Sequence, residues 1–242
     1  MDKIDVLGAQ VNKVTIKDAV NVVAGFIDRK TPHQVITLNA EIIYLALSEP
    51  RLMSIINSAH LVTPDGAGVV LASKILGEPL SERVTGIDLM QELVKISPAK
   101  GWRLFFFGGA PGVADEAAAN LKATYEGLQI VGVQHGYLKS KEEEKALLLD
   151  IIQAKPDILF VALGAPKQEY WIKEHLAELK VPVAIGVGGS FDVLSGRIAR
   201  APELYQKLQL EWLYRLVKEP YRYKRMLALP KFMLKIIKQK LR

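Results

Sequence analysis

A chemical reading of this chain turns on Asp65. It stands in TPDGAG (63–68), with a proline before it and two glycines close behind. Asp and Gly are common turn formers, and an acid at the start of a helix is an ordinary cap. A carboxylate presented at the mouth of an α/β sheet has another use, as a general base that takes a proton from an attacking hydroxyl. The six residues alone allow both.

Four other segments have the same character: TLNAE (37–41), GGAPGVADEA (108–117), GAPKQEYW (164–171) and GGSFD (188–192), each following a short apolar run. Thr37 and Asn39 offer a hydroxyl and an amide that orient a sugar or its N-acetyl group, or else cap a helix. Gln168, at the start of a helix, either faces solvent or reaches a ligand. Arg83 follows a Gly-Glu-Pro turn and is either solvated or a clamp on a phosphoryl group through its fork of donors. Gly108 and Gly109 do not form GxGxxG, and no acid is placed to take a ribose, so a dinucleotide fingerprint is weak. They read as a tight strand-to-helix turn that brings backbone N–H groups near a phosphate or sugar. Gly188 and Gly189 permit close approach or positive φ, and Asp192 is either a ligand contact or a cap. The glycines beside Asp65 are expected to leave room for a sugar.

Several chemistries are excluded or disfavoured. The chain has no Cys, hence no disulfide, thiolate nucleophile or thiolate metal ligand. Its 4 His are scattered, without HExxH, so no zinc site is expected. No DxD-like pair is present to bridge Mg²⁺ to a diphosphate. If a nucleoside diphosphate leaves, cationic side chains must offset its growing charge.

The elements that position these residues are legible as a rhythm. Strands are predicted at 3–7, 33–38, 60–63, 102–107, 129–133, 157–163 and 182–187. Helices are predicted at 16–28, 40–47, 51–58, 66–76, 86–97, 112–125, 141–154 and 168–178. Several strands are continuous apolar runs, as in a parallel sheet covered on both faces. The expectation is one open, Rossmann-like α/β domain over 1–195 with a mostly parallel sheet and a hairpin-like start. In such sheets ligands bind beyond the carboxyl ends of the strands, where all five segments fall.

Residues 196–242 change character. Of 32 Lys and Arg in 242 residues, 13 lie in 197–242 against 3 Glu, which leaves a mildly acidic body and a strongly basic tail. Helices are predicted over 202–220, over 221–229 and, after Pro230, over 231–242. On a helical wheel Phe232, Met233, Leu234, Ile236, Ile237 and Leu241 fill a wide apolar sector opposite Lys231, Lys235, Lys238 and Arg242. That pattern suits a helix lying in a lipid headgroup region, helped by Trp212, Tyr214, Tyr221 and Tyr223. The competing reading packs this face on its own domain or on a second copy, as a homo-oligomer. Nucleic acid is disfavoured, because it asks for stacking and basic groups instead of Ile and Leu. No secretory signal opens the chain and no apolar run is long enough to span a bilayer, so a cytoplasmic protein is expected.

Taken together, TLNAE, TPDGAG, ERVTGIDL (82–89), FFFGGAPGVADEA (105–117), HGY (135–137), DILFVALGAPKQEYWI (157–172), GVGGSFDVLSGRIARAPE (186–203) and LEWLYRLVKEPYRYKR (210–225) resemble the WecG/TagA/CpsF glycosyltransferase family over essentially the whole chain. The likeness is nearest to its wall teichoic acid branch. It implies transfer of N-acetylmannosamine from UDP-N-acetylmannosamine to the 4-hydroxyl of N-acetylglucosaminyl-diphospho-undecaprenol, with inversion, no cofactor and no required metal. It also implies that Asp65 is the base, that Thr37, Asn39, Arg83 and Gln168 line the pocket, and that the tail reaches the inner face of the membrane and completes the site with Arg215, Arg222 and Arg225. Related members use a mannosaminuronic acid or glucose donor, so the donor stays open. A rival of another class is a non-catalytic peripheral membrane scaffold in which Asp65 is only a turn residue.

Overall fold

The computed structural model describes residues 1–202, 205, 211, 213, 214 and 228–241. Arg215, Arg222 and Arg225, with Trp212, Tyr221, Tyr223 and most of the helices expected over 202–229, lie outside the described residues.

The chain opens with a β-hairpin, β1 (Lys3–Val6) and β2 (Ala9–Asn12), paired antiparallel with Val6 opposite Ala9. Leu7 and Gly8 between them both have positive φ, as a two-residue turn between right-twisted strands requires. The second strand escapes the sequence reading because Leu-Gly lacks the Asn-Gly or Asp-Gly signal.

Six parallel strands then build the sheet: β3 (His33–Leu38), β4 (Leu61–Pro64), β5 (Arg103–Gly108), β6 (Gln129–Gln134), β7 (Ile158–Ala162) and β8 (Val183–Gly186). Their spatial order is β4-β3-β8-β7-β5-β6, and every adjacent pair is parallel. This is the expected α/β class, with strands within a residue or so of the predicted ones.

Helices cover both faces, so successive strand residues alternate between two cores. Val35, Leu61, Leu104, Phe106, Phe160 and Ile185 face α1 (Ile16–Arg29), α5 (Gly86–Lys100), α6 (Val113–Thr124) and α9 (Ser190–Leu194). Phe106 anchors that side, stacked on Phe191 at 5.0 Å and edge-on to Phe160 at 5.7 Å. On the other face Ile36, Leu38 and Val62 pack against the hairpin, α2 (Ala40–Ala46), α3 (Pro50–Ser58) and α4 (Ala67–Leu76). Phe105, Phe107, Leu159 and Val161 pack against α7 (Lys141–Ala154) and α8 (Lys167–Leu179).

The last described helix, α10 (Ala228–Lys240), closes the second face. Pro230 does not end a helix as expected; it lies within the helical run Ala228–Lys240. Phe232 and Ile236 are fully buried among Ile4, Val6, Ile43 and Val69, each burial contributing about 1.5–3 kcal/mol. Gln239 accepts from the Leu7 amide at 2.9 Å and donates to Asp5, and Lys240 Nζ donates to the Leu76 carbonyl. The apolar sector of the wheel is therefore divided. Phe232, Met233 and Ile236 serve the body, while Leu234, Ile237 and Leu241 remain exposed.

Candidate active site

The strand order explains the site. Because β4, β3, β8 and β7 are neighbours, the loops that carry Asp65, Thr37 with Asn39, Gly188 and Gln168 emerge side by side at the carboxyl rim.

Asp65 follows β4 directly, and its own amide donates to the Leu38 carbonyl at 2.8 Å. It does not cap α4. The cap position is Gly66, at φ +95°, with no side-chain cap bond. Asp65 Oδ2 instead accepts from the amide of Gly86, the first residue of α5, at 3.1 Å. Two further bonds hold the same junction: Val84 N donates to the Pro64 carbonyl at 2.9 Å, and Thr63 Oγ1 donates to the Val84 carbonyl at 3.1 Å. The half-buried Asp65 carboxylate is thus fixed against the N-terminus of a 15-residue helix, the end that favours negative charge. Gly68 does not leave room for a sugar. A Cβ there would stand 2.8 Å from Leu229 Cδ1 and 2.9 Å from Ala40 Cβ, so its bareness lets α2 and α10 close on α4.

Thr37 is buried, and Oγ1 donates to the Gly186 carbonyl of β8 at 3.0 Å, so it caps nothing. Asn39 is the cap of α2: its Oδ1 accepts from Ile42 N at 3.0 Å while its side chain stays half-buried at the rim. Gln168 is not a solvated helix-start residue. It is 2% exposed, its Oε1 accepts from the Gly188 amide at 3.1 Å, and its Nε2 donates to Glu169 Oε1 at 2.9 Å. At Gly188, with φ +53°, a Cβ would meet nothing within 4 Å, so the loop there borders open space.

GGSFD is a helix start and not a loop: Gly189 occupies the cap position of α9, and Asp192 lies in the first turn of that helix. At the end of β5, Gly108 has φ +129°, and a Cβ there would be 2.4 Å from the Ala162 carbonyl oxygen. The Gly109 amide donates to that same oxygen at 2.9 Å. These glycines serve close strand approach, and the Gly109 N–H is already engaged. The following helix, α6, carries Asp115 and Glu116 in its first turn, with Glu116 paired to Arg197 through two 2.7 Å bonds, which is unlike a phosphate-binding N-terminus.

Arg83 sits at the junction next to Asp65. Its Nη2 is 2.6 Å from Glu211 Oε2, and both side chains are nearly buried. Arg200 approaches from beyond α9, pairing with Asp88 and donating to Gln91 at 3.1 Å. Glu169, also unforeseen, is 1% exposed with Oε2 lacking a partner among the described residues, and burial pushes its carboxyl above the usual range. A carboxylate directly before an aromatic and aliphatic run, as in EYWI and EWL, is the available signal for Glu169 and Glu211. No group of three His, Asp or Glu suited to a metal occurs among the described residues.

This geometry stands beside the comparisons with known proteins. The family model for glycosyl transferases of the WecG/TagA/CpsF family matches residues 4–242. The chain belongs to the WecG/TagA/CpsF glycosyltransferase family. Among its relatives, the N-acetylglucosaminyldiphosphoundecaprenol N-acetyl-beta-D-mannosaminyltransferase of Bacillus spizizenii is 39% identical over 214 residues, 88% of this chain and 82% of that one. The protein of the same name from Bacillus subtilis is 36% identical over the same shares. The one from Staphylococcus aureus is 34% identical over 240 residues, 98% and 93% of the two chains. In a WecG/TagA/CpsF glycosyltransferase a sugar hydroxyl loses a proton while a leaving group gains negative charge. Asp65 and Arg83 both belong to the β4–α5 junction.

Proposed function

We propose that the chain transfers N-acetylmannosamine from UDP-N-acetylmannosamine to the 4-hydroxyl of N-acetylglucosaminyl-diphospho-undecaprenol, the first disaccharide lipid of wall teichoic acid linkage. The observation that carries this reading is near full-length similarity to mannosaminyltransferases from two genera, on a chain whose Asp65 is held at the rim.

Asp65 takes the proton from the acceptor hydroxyl as its oxygen attacks C1 of the donor opposite the departing UDP, which inverts the anomeric centre. The Gly86 amide fixes the carboxylate's orientation for that transfer. Asn39 and the open Gly188 loop, braced by Thr37 and Gln168, shape the sugar pocket. Gly189 and Asp192, which open α9 directly after Gly188, would border the same pocket. Arg83, with Arg215, Arg222 and Arg225 from the tail, offsets the diphosphate charge, so transfer is expected to survive EDTA.

Residues 1–195 form the catalytic domain and 196–242 the appendage that meets the membrane. Leu234 and Ile237 on α10 and Leu241 just after it are exposed beside Lys235 and Lys238, a combination that favours an anionic leaflet at about 1 kcal/mol per basic residue. Among the described residues no helix is long and apolar enough to cross a membrane, which fits peripheral attachment on the face where the lipid-linked acceptor is met.

The test is UDP release with the lipid-linked N-acetylglucosamine acceptor, in EDTA, across UDP-N-acetylmannosamine, UDP-N-acetylmannosaminuronate and UDP-glucose. Acceptor-dependent release with the first donor alone supports the assignment. Release with another donor alone moves it, and release with none rejects it.

A further inference from the structure

Arg200 belongs to GRIARAPE (196–203), outside the rim loops, yet it reaches the same anion. Its Nη2 pairs with Asp88 Oδ1 and its Nη1 donates to Gln91 Oε1 at 3.1 Å. Its Nε–H is buried without a hydrogen-bond partner among the described residues. The acceptor facing that nitrogen is Glu211 Oε1, at 3.8 Å, too far for a hydrogen bond. The other oxygen of Glu211 is 2.6 Å from Arg83 Nη2. One buried carboxylate therefore lies between two guanidinium groups, gripping one and missing the other.

That mismatch is chemically specific. A carboxylate offers two oxygens in one plane, whereas a phosphoryl group spreads three over a tetrahedron and suits guanidinium forks. Leaving a guanidinium N–H buried and unmatched is costly, so a purely structural bridge would be expected to close it. Asp88 is fixed on α5 by Thr85 Oγ1, which donates to it at 2.6 Å. Arg83 is also tied to the Asp65 junction through Val84 and Gly86, which puts the cluster beside the proposed base.

We propose that Arg83 and Arg200 together form the receptor for the donor's diphosphate, and that Glu211 occupies it as an internal counterion that the donor displaces. The inference rests on the nucleotide-sugar reading above and adds Arg200 as a binding residue and Glu211 as its competitor. With Glu211 in place the two arginines are neutralised by Glu211 and Asp88; with it displaced, one net positive charge is left to attract the diphosphate.

The test is calorimetric titration of the full chain with UDP, inorganic diphosphate and uridine, each variant first checked for an unchanged melting transition. Arg200→Gln is expected to weaken UDP and diphosphate by about tenfold or more, the worth of a lost charge-assisted bond, and to leave uridine unaffected. Arg200→Lys keeps the charge facing Asp88, guards against misfolding, and is expected to weaken both by a smaller factor. Glu211→Gln is expected to tighten both by about three- to tenfold, because the competing charge is gone. A folded Arg200 variant that binds UDP like the native chain, or a Glu211→Gln chain that binds no more tightly, overturns the inference even if mannosaminyl transfer is intact. Binding of diphosphate but not UDP, with the same variant pattern, sustains the receptor and rejects the UDP donor. Binding of neither by the native chain overturns it.

Discussion

Asp65 Oδ2 accepts a hydrogen bond from the Gly86 amide at 3.1 Å, joining the end of β4 to the first residue of α5 across 21 positions of sequence. Gly86 also lies against Thr37: a Cβ on it would stand 3.1 Å from Thr37 Oγ1 and 3.5 Å from the Val187 Cα. One glycine thus sets the distance between the proposed base, the β3 rim and the β8 rim. It has ordinary negative φ, so its role is closeness and not backbone freedom.

Gly86→Ala should accordingly push α5 away from Thr37. Overpacking of this kind costs about 1–3 kcal/mol, and displacement of Asp65 should lower kcat by about 10²-fold. Thermal melting and steady-state kinetics on one preparation would separate the two effects.

Gln168→Ala removes the acceptor of the Gly188 amide and the donor to Glu169 in one step. Buried groups left without partners cost about 1–3 kcal/mol. The Gly188 loop should loosen, so the donor KM should rise more than kcat falls. Unchanged KM would show that this loop does not border the donor.

Glu169 supplies a pH dependence. Burial raises its carboxyl pKa in the folded chain above the ordinary 4.5, so above that pH the unfolded chain has released a proton that the folded chain retains. Stability from this group is complete below 4.5 and declines as pH rises toward the folded-state value. Glu169→Gln keeps an acceptor for Gln168 and cannot ionise. The melting temperature of the variant relative to the native chain should therefore climb between pH 4.5 and pH 8, and a constant difference would refute the linkage.

Which features were legible follows from the range of the interactions that create them. Apolar runs and their spacing located six parallel strands, because both cores select the same residues locally. The clustering of Asp65, Thr37, Asn39 and Gln168 was inferred only as a shared rim; the order β4-β3-β8-β7 that makes them neighbours depends on crossovers that periodicity does not encode. Arg200, Glu211 and Glu169 were missed because each acquires meaning from a partner far along the chain or from burial, as with Arg83 and Glu211. The helical wheel of the tail grouped Phe232 with Leu234 because a wheel contains no neighbour, and only α2, α4 and the hairpin separate the two.

That separation predicts two independent outcomes on α10. Phe232→Ala should cost about 3–5 kcal/mol by opening a cavity in the core. The triple change Leu234→Ser, Ile237→Ser and Leu241→Ser touches exposed residues and should alter stability by only about 0.5 kcal/mol per site, yet reduce binding to vesicles rich in anionic lipid. Undiminished vesicle binding would remove α10 from the membrane contact.

The most direct measurement is the rate of N-acetylmannosamine transfer to the lipid-linked acceptor by Asp65→Asn, with UDP affinity and melting temperature measured on the same protein. Asn keeps an acceptor for the Gly86 amide but loses the negative charge and with it the ability to take a proton. The account predicts a fall of about 10²–10⁴-fold in rate with affinity and melting unchanged. Transfer within about threefold of the native rate would contradict it, because a general base cannot be removed at so small a cost.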